Sequence, residues 1–226
     1  MIDEPDKETP MRVHLAVIAV LLGICFTGSA HGQQILVLGN ARFIDDAAIN
    51  QSLGATVVRS AGSVQLSQVA VVVLANIALN SVPDHIRSGL SAYVGSGGAL
   101  LITGGDQSFG SGGYQDLASI LPFTIRTSND WRAIPFTLPV PIQPGHPILA
   151  GVEFPTIGFV NDMNPLPAAS EILQLAGRST YPYALIAERS AGGRVVGMAF
   201  DPDRLIGYMP TLPRLAQNTL KYLLGR

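Results

Sequence analysis

Short apolar runs alternate along the chain with segments whose apolar residues recur at helical spacing. Residues 34–40, QILVLGN, form an apolar run closed by Gly39-Asn40 and predict a strand. In 41–55, Phe43, Ala47, Ile49 and Leu53 are roughly helix-spaced, and Gly54 suits a helix stop. Residues 56–60, TVVRS, predict a second strand. Residues 69–76, VAVVVLAN, are apolar almost throughout, as expected of a central strand covered on both faces. The stretch 81–98 predicts a helix with Ser81 as cap, Pro83 in the first turn, Ile86, Leu90, Tyr93 and Val94 on one face, and Gly95 as terminator. ALLITG at 99–104 predicts a fourth strand. This alternation specifies an α/β chain: a mostly parallel sheet with helices on both faces.

The regular alternation stops at 123–167, where Pro135, Pro139, Pro141, Pro144, Pro147, Pro155, Pro165 and Pro167 allow little but edge strand and loop. Nothing there repeats or supplies a long amphipathic helix, so no second domain is expected. YALIAER (183–189), a turn at SAGG and RVVGMAF (194–200) predict a β-hairpin. Residues 211–225 then predict a helix with Leu215, Thr219, Tyr222 and Leu223 along one face. Residues 33–226 are therefore expected to form a single domain.

The front of the chain reads differently. Arg12, an apolar run from Leu15 to Phe26, and Ala30 and Gly32 at the minus-three and minus-one places have the layout of a secretory signal peptide cut before Gln33. The acidic MIDEPDKETP ahead of it has the wrong sign for a leading region and favours Met11 over Met1 as the start. The expectation is an exported protein, periplasmic or extracellular, or one anchored in a membrane by residues 12–30 if the segment stays uncleaved. Cys25, the single cysteine, lies in this run, and Ile24 before it does not fit a lipoprotein box. Residues 33–226 thus exclude a disulfide, a thiol nucleophile and a thiolate metal site. The full chain has 14 Lys+Arg against 16 Asp+Glu, residues 33–226 are charge-balanced, and Lys221 is their only lysine. Such a surface gives no electrostatic reason to expect nucleic acid.

Ligands of open parallel sheets sit beyond the carboxyl ends of the strands, here Asn40, Asn76, the loop 104–109 and residues 201–203. Gly105 and Gly110 have P-loop spacing, but Ser111-Gly112 follows where a lysine is needed. A dinucleotide glycine triplet and a ribose-binding acid are also missing, and no cofactor is expected. Ser108 has the glycine of a nucleophile elbow after it, but Asp106 stands where the earlier glycine belongs. Ser108, His146 and Asp201 can be drawn as a triad; His146, Asp162, Asp201 and Asp203 can be drawn as a metal set, with no pair at helical i, i+4 spacing. Asp201 as general base with Asp106 or Asp203 as partner is a carboxylate-based hydrolase alternative.

Three segments read together, LSAYVGSGGALLITGGDQSFGSGGY (90–114), GHPILAG (145–151) and GGRVVGMAFDPDR (192–204), resemble the glutamine amidotransferase-like domain of the class I glutamine amidotransferase-like superfamily. The histidine-proline segment is also similar to the sugar-utilisation branch of that superfamily. The resemblance implies a flavodoxin-like three-layer sandwich. It also locates the departures: active members carry a cysteine at the turn that reads Gly104-Gly105-Asp106 here, and a histidine at the place of Asp201. Without thiolate and imidazole the covalent route to glutamine hydrolysis has neither nucleophile nor matched base.

The expectation is a catalytically degenerate ligand-binding or protein-interaction module, with a structural cell-envelope component as a further alternative. Its ligand or protein partner is unknown. The binding residues would be Gly104, Gly105, Asp106, Gln107, Ser108 and Asp201, the glycine-rich loop turning backbone N–H groups inward to receive an anion or carbonyl. Phe109 and Tyr114 are expected as packing anchors.

Overall fold

The computed structural model describes residues 33–176 and 184–226. Residues 1–32, with the signal and anchor expectations placed on them, lie outside the described residues, as does Tyr183 of the predicted hairpin. In chain order the elements are β1 (Gln34–Gly39), α1 (Asp46–Leu53), β2 (Thr56–Val58), β3 (Val69–Ala75), α2 (Asp84–Arg87), α3 (Leu90–Gly95) and β4 (Ala99–Thr103). Then follow β5 (Phe123–Ile125), β6 (Trp131–Thr137), β7 (Pro139–Pro141), β8 (Ile157–Asn161), β9 (Met163–Pro165), β10 (Ser170–Leu175), β11 (Ala184–Ala191), β12 (Gly193–Met198) and α4 (Leu212–Leu223). Among the described residues no helix is long and apolar enough to cross a membrane.

One eight-stranded sheet runs in the order β2-β1-β3-β4-β12-β11-β10-β7. Its first five strands pair in parallel, and the last three continue it antiparallel. Period-two alternation divides each central strand between two cores. Ile35 and Val37 of β1, Val71 and Val73 of β3 and Leu101 of β4 pack with Ile49 and Leu53 of α1 and with Leu215, Leu220 and Leu223 of α4. Leu36, Leu38, Val72, Leu74, Leu100 and Ile102 face the opposite layer, with Ile86, Leu90, Val94, Phe109 and Tyr114. Helices thus cover both faces, in a mostly parallel α/β three-layer sandwich of flavodoxin-like type. The strand order reverses at β1, which lies between β2 and β3, so a crevice opens at the carboxyl ends of β1 and β3.

The proline-rich segment forms two antiparallel ribbons, β5–β9 and β6–β8, and the outermost strand β7. Pro139 and Pro141 fall on that edge, where a missing N–H costs no ladder bond.

Three boundaries differ from the sequence pattern, each for a local reason. α1 begins only at Asp46, because the Asp45 carboxylate caps it by accepting from the N–H groups of Ala47 and Ala48. Phe43 and Ile44 are buried in the preceding loop instead. The helix expected over 81–98 is two short helices, with Pro83 rather than Ser81 at the start of α2. Gly89 between them packs against Leu66. The hairpin turn is tighter than SAGG: Gly192 alone, at φ +90°, separates β11 from β12.

Gly39 closes β1 at φ +88°, and a Cβ there would overlap the Ala75 carbonyl oxygen. That oxygen accepts the Asn40 N–H at 2.7 Å and joins the ends of β1 and β3. Gly54 also has positive φ, +59°, but open space around it. Gly39→Ala should therefore cost about 3 kcal/mol, and Gly54→Ala about 1 kcal/mol, in urea unfolding. Equal losses would contradict the close approach at Gly39.

Candidate functional site

Four loops meet beyond the carboxyl ends of β1, β3, β4 and β12, and buried polar side chains tie them together. Asn76, directly after β3, has φ +40°, a left-handed conformation that asparagine tolerates better than most residues. Its Nδ2 donates to Asp106 Oδ1 and to Asp201 Oδ2, each at 3.2 Å, and its Oδ1 accepts the Gln107 N–H at 2.9 Å. Asn161, at the end of β8, serves the same turn from the other side. Its Oδ1 accepts the Gly105 N–H at 2.9 Å, and its Nδ2 donates to Gly105 O (3.2 Å) and Asp130 Oδ1 (3.1 Å). Asp130 is fully buried and accepts the N–H groups of Gly110 and Ser111 as well.

Two inward N–H groups of the 104–108 turn therefore already bind the chain's own carboxamides. Gly104 and Gly105 are required for this packing: a Cβ on Gly104 would press on the Ala199 backbone, and one on Gly105 would overlap the Asn76 amide. Asp106 and Gln107 remain exposed, and Ser108 is fully buried. Phe109 and Tyr114 are buried too, their rings 5.7 Å apart, with Phe123 edge-on to Phe109.

Asp201 stands after β12, buried, as the cap of a 3-10 turn at Pro202–Leu205, its Oδ1 accepting the Asp203 N–H at 3.0 Å. Burial pushes its carboxyl above the usual range; the Asp203 N–H works against the rise, the Asp203 charge adds to it, Arg204 opposes it, and Asp106 adds slightly. Asp203 is committed elsewhere. It accepts from the Phe43 N–H (2.9 Å) and from Arg42 N and Nε (3.2 Å each), fastening the loop after β1.

The structure brings Asp106, Asn76 and Asp201 together, but not the drawn triad or metal set. Ser108 lies beside Tyr114 in one core layer. His146 accepts the Ile148 N–H, approaches Glu188 at 3.5 Å and packs on Tyr222 at 4.9 Å, against the layer of α4. Asp162 is paired with Arg126 (2.8 Å) and Arg132 (3.3 Å). Among the described residues no group of three or more His, Cys, Asp or Glu converges as metal ligands would.

Open space adjoins Asp201 without reaching residues 104–108 of the glycine turn. A cleft of about 550 Å³ is lined by Phe136, Ile157, Phe159, Phe200, Leu205 and Tyr208, with Asp201 and Arg204 at its wall. A polar recess of about 320 Å³, lined by Asn40, Arg42, Asp201, Asp203 and Arg204, shares that wall. The Arg204 guanidinium lies over the rings of Trp131 (5.3 Å) and Phe159 (5.1 Å), which stack on each other at 6.0 Å, and its Nε is 3.8 Å from Asp201 Oδ2.

Asn76 was legible only as a strand end. Asn161, Asp130, Trp131 and Phe159 sit in the proline-rich segment, which carries no periodic signal, and their convergence follows from the β6–β8 ribbon folding over the sheet ends.

No family model and no curated protein sequence matches this chain. Solved structures do match its fold. Two cytoplasmic proteins from Salmonella typhimurium superpose with TM-scores of 0.69 and 0.68, at 16% and 17% identity. Each covers 84% of this chain, and 98% and 99% of their own lengths are covered. A ThuA-like protein from Bacteroides uniformis superposes with a TM-score of 0.58 at 11% identity, covering 86% of this chain and 93% of that one. At these identities the likeness bears on the fold alone, and it agrees with the flavodoxin-like sandwich that the resemblance in the sequence implied. A β-galactosidase from Rahnella superposes over 85% of this chain with a TM-score of 0.56 at 10% identity, the match covering 31% of that enzyme.

The expectation of export is corrected by this likeness, because the two chains matched along nearly their whole lengths are cytoplasmic proteins. A twelve-residue apolar run is also the length of a buried core segment, so its length alone carries no address.

Asn76→Asp places a third carboxylate between Asp106 and Asp201. It should cost about 2–4 kcal/mol at neutral pH, with much of the loss recovered as pH falls through the carboxylate range. Urea unfolding at pH 4 and 7 checks this; a pH-independent loss would contradict it. For Asp201 the fold favours the protonated form, so its contribution is full below the ordinary carboxylate value and is lost as pH rises through the raised one. The stability difference between wild type and Asp201→Asn should accordingly move in the variant's favour as pH rises over that window.

Proposed function

We propose that residues 33–226 are a non-catalytic domain of glutamine amidotransferase-like fold that binds a small ligand in the cleft beside Asp201 and Arg204. The observation that carries this reading is where the space lies. The turn at which relatives of this superfamily hold their nucleophile reads Gly104-Gly105-Asp106, and the N–H groups of Gly105 and of Gln107 just after it are taken by Asn161 and Asn76. The apolar cleft adjoins Asp201, and none of residues 104–108 lines it. A cleft of several hundred cubic ångströms with mostly apolar walls and a few polar groups at one end has the size and make-up of a small-molecule site. The only cysteine of the chain is Cys25, outside this domain, and Asp201 stands in the place of the family's histidine.

One observation favours a second reading, the carboxylate-based hydrolase. A single Asn76 Nδ2 bridges Asp106 and Asp201, and burial raises the Asp201 carboxyl. Two acids with separated affinities for a proton can divide acid and base work. Asp203 is unsuited as the partner, because both its oxygens accept from Arg42 and Phe43.

Incubation with glutamine should release no ammonia above a buffer control; release abolished by Asp201→Ala would overturn the non-catalytic reading. In a fragment screen by ligand-observed NMR, hits should compete with one another and be lost in Thr156→Trp, which sets an indole at the rim of the cleft from an exposed position. Hits that survive Thr156→Trp unchanged would place binding elsewhere.

A further inference from the structure

The donors around the shared wall of cleft and recess are unevenly satisfied. Both oxygens of Asp201 accept hydrogen bonds from within the chain, from Asn76 Nδ2 and the Asp203 N–H. The Asp203 carboxylate is likewise filled by Arg42 and Phe43. Arg204 is the reverse case. Among the described residues its guanidinium donates no hydrogen bond: the ring faces of Trp131 and Phe159 hold it, and the 3.8 Å to Asp201 is beyond hydrogen-bond length. The Arg42 side chain, which also lines the recess, uses only its Nε, on Asp203, and its two terminal nitrogens donate no hydrogen bond among the described residues.

The Arg204 guanidinium carbon lies over both rings while its fork of donors is unused, and such a fork recognises a planar anion through two parallel bonds. A ligand cation is disfavoured at this place, because Arg204 already occupies the face of Phe159. A dianion is disfavoured as well, since Asp201 and Asp203 line the same recess. Beside the fork lies the apolar cleft, in which Phe136 and Tyr208 are 75% and 77% exposed and can close on an apolar body.

Resting on the cleft reading above, we infer that the ligand is a small amphipathic monocarboxylate: its carboxylate pairs with the Arg204 guanidinium, with Arg42 nearby, and its apolar body lies against Phe159, Leu205 and Tyr208.

Calorimetric titration of the full chain with phenylacetate, 2-phenylethanol, acetate and phenyl phosphate tests this. Phenylacetate should bind at one site more tightly than the other three. Arg204→Met keeps the apolar stem and removes the fork; it should weaken phenylacetate about tenfold or more and change 2-phenylethanol less than about twofold. Arg204→Lys keeps the charge without the planar fork and should fall between. The thermal unfolding of each variant establishes that it is folded. Phenylacetate binding unchanged in Arg204→Met, or phenyl phosphate binding more tightly than phenylacetate, would overturn the inference. Equal binding of 2-phenylethanol and phenylacetate would overturn the carboxylate assignment and leave the cleft reading standing, whereas fragments that survive Thr156→Trp would remove both.

Discussion

A carboxylate buried where a parallel sheet ends must be given hydrogen-bond donors or give up its charge. Asp130, Asp201 and Asp203 are all in that position, and the conformations of the surrounding loops follow from how their oxygens are served. Asp203 draws in the loop after β1 through Arg42 and Phe43. Asp130 gathers the glycine loop through Gly110 and Ser111. Asp201 takes the amide of Asn76, and supplying that amide places Asn76 at φ +40°. The glycines of the 104–105 turn then have a packing reason: the Asn76 and Asn161 carboxamides occupy the space that side chains would need.

The same network changes what the turn can bind. A glycine-rich loop with inward N–H groups is a ready receptor for an anion or an oxyanion. Here two asparagine oxygens occupy that position as intramolecular stand-ins, at 2.9 Å from Gly105 N and Gln107 N. The loop thus keeps its glycine-rich architecture with two inward donors satisfied internally, and on the proposed reading a ligand takes a different wall of Asp201.

Much of the architecture was legible in the sequence because central strands and their covering helices carry period-two and helical patterns: 69–76 and 99–104 read directly as buried strands, and 211–225 as the closing helix. Boundaries set by single side chains were less legible. Asp45 was not distinguishable from Asp46 as a cap, and nothing local marks Gly89 as the break in a helix, because Leu66 is what it packs on. The site was legible by half. Asp106, Gln107 and Asp201 do meet at the strand ends, yet the residues that join them, Asn76 and Asn161, come from segments far apart in sequence. The aromatic pair Trp131 and Phe159 comes from a ribbon whose prolines announce only extended chain. Ser108 and His146 carried motif-like surroundings for structural reasons, one as part of a buried loop and the other as a turn cap.

The central claim is that the turn's Gly105 and Gln107 donors are occupied by the chain itself. Backbone amide hydrogen exchange of Gly105 and Gln107, followed by NMR in ligand-free protein, tests it most directly. Both amides should exchange slowly in the wild type, with Gln107 released in Asn76→Ala and Gly105 in Asn161→Ala. Exchange in the wild type as fast as in an open loop would contradict the account and return the turn to the status of a vacant receptor.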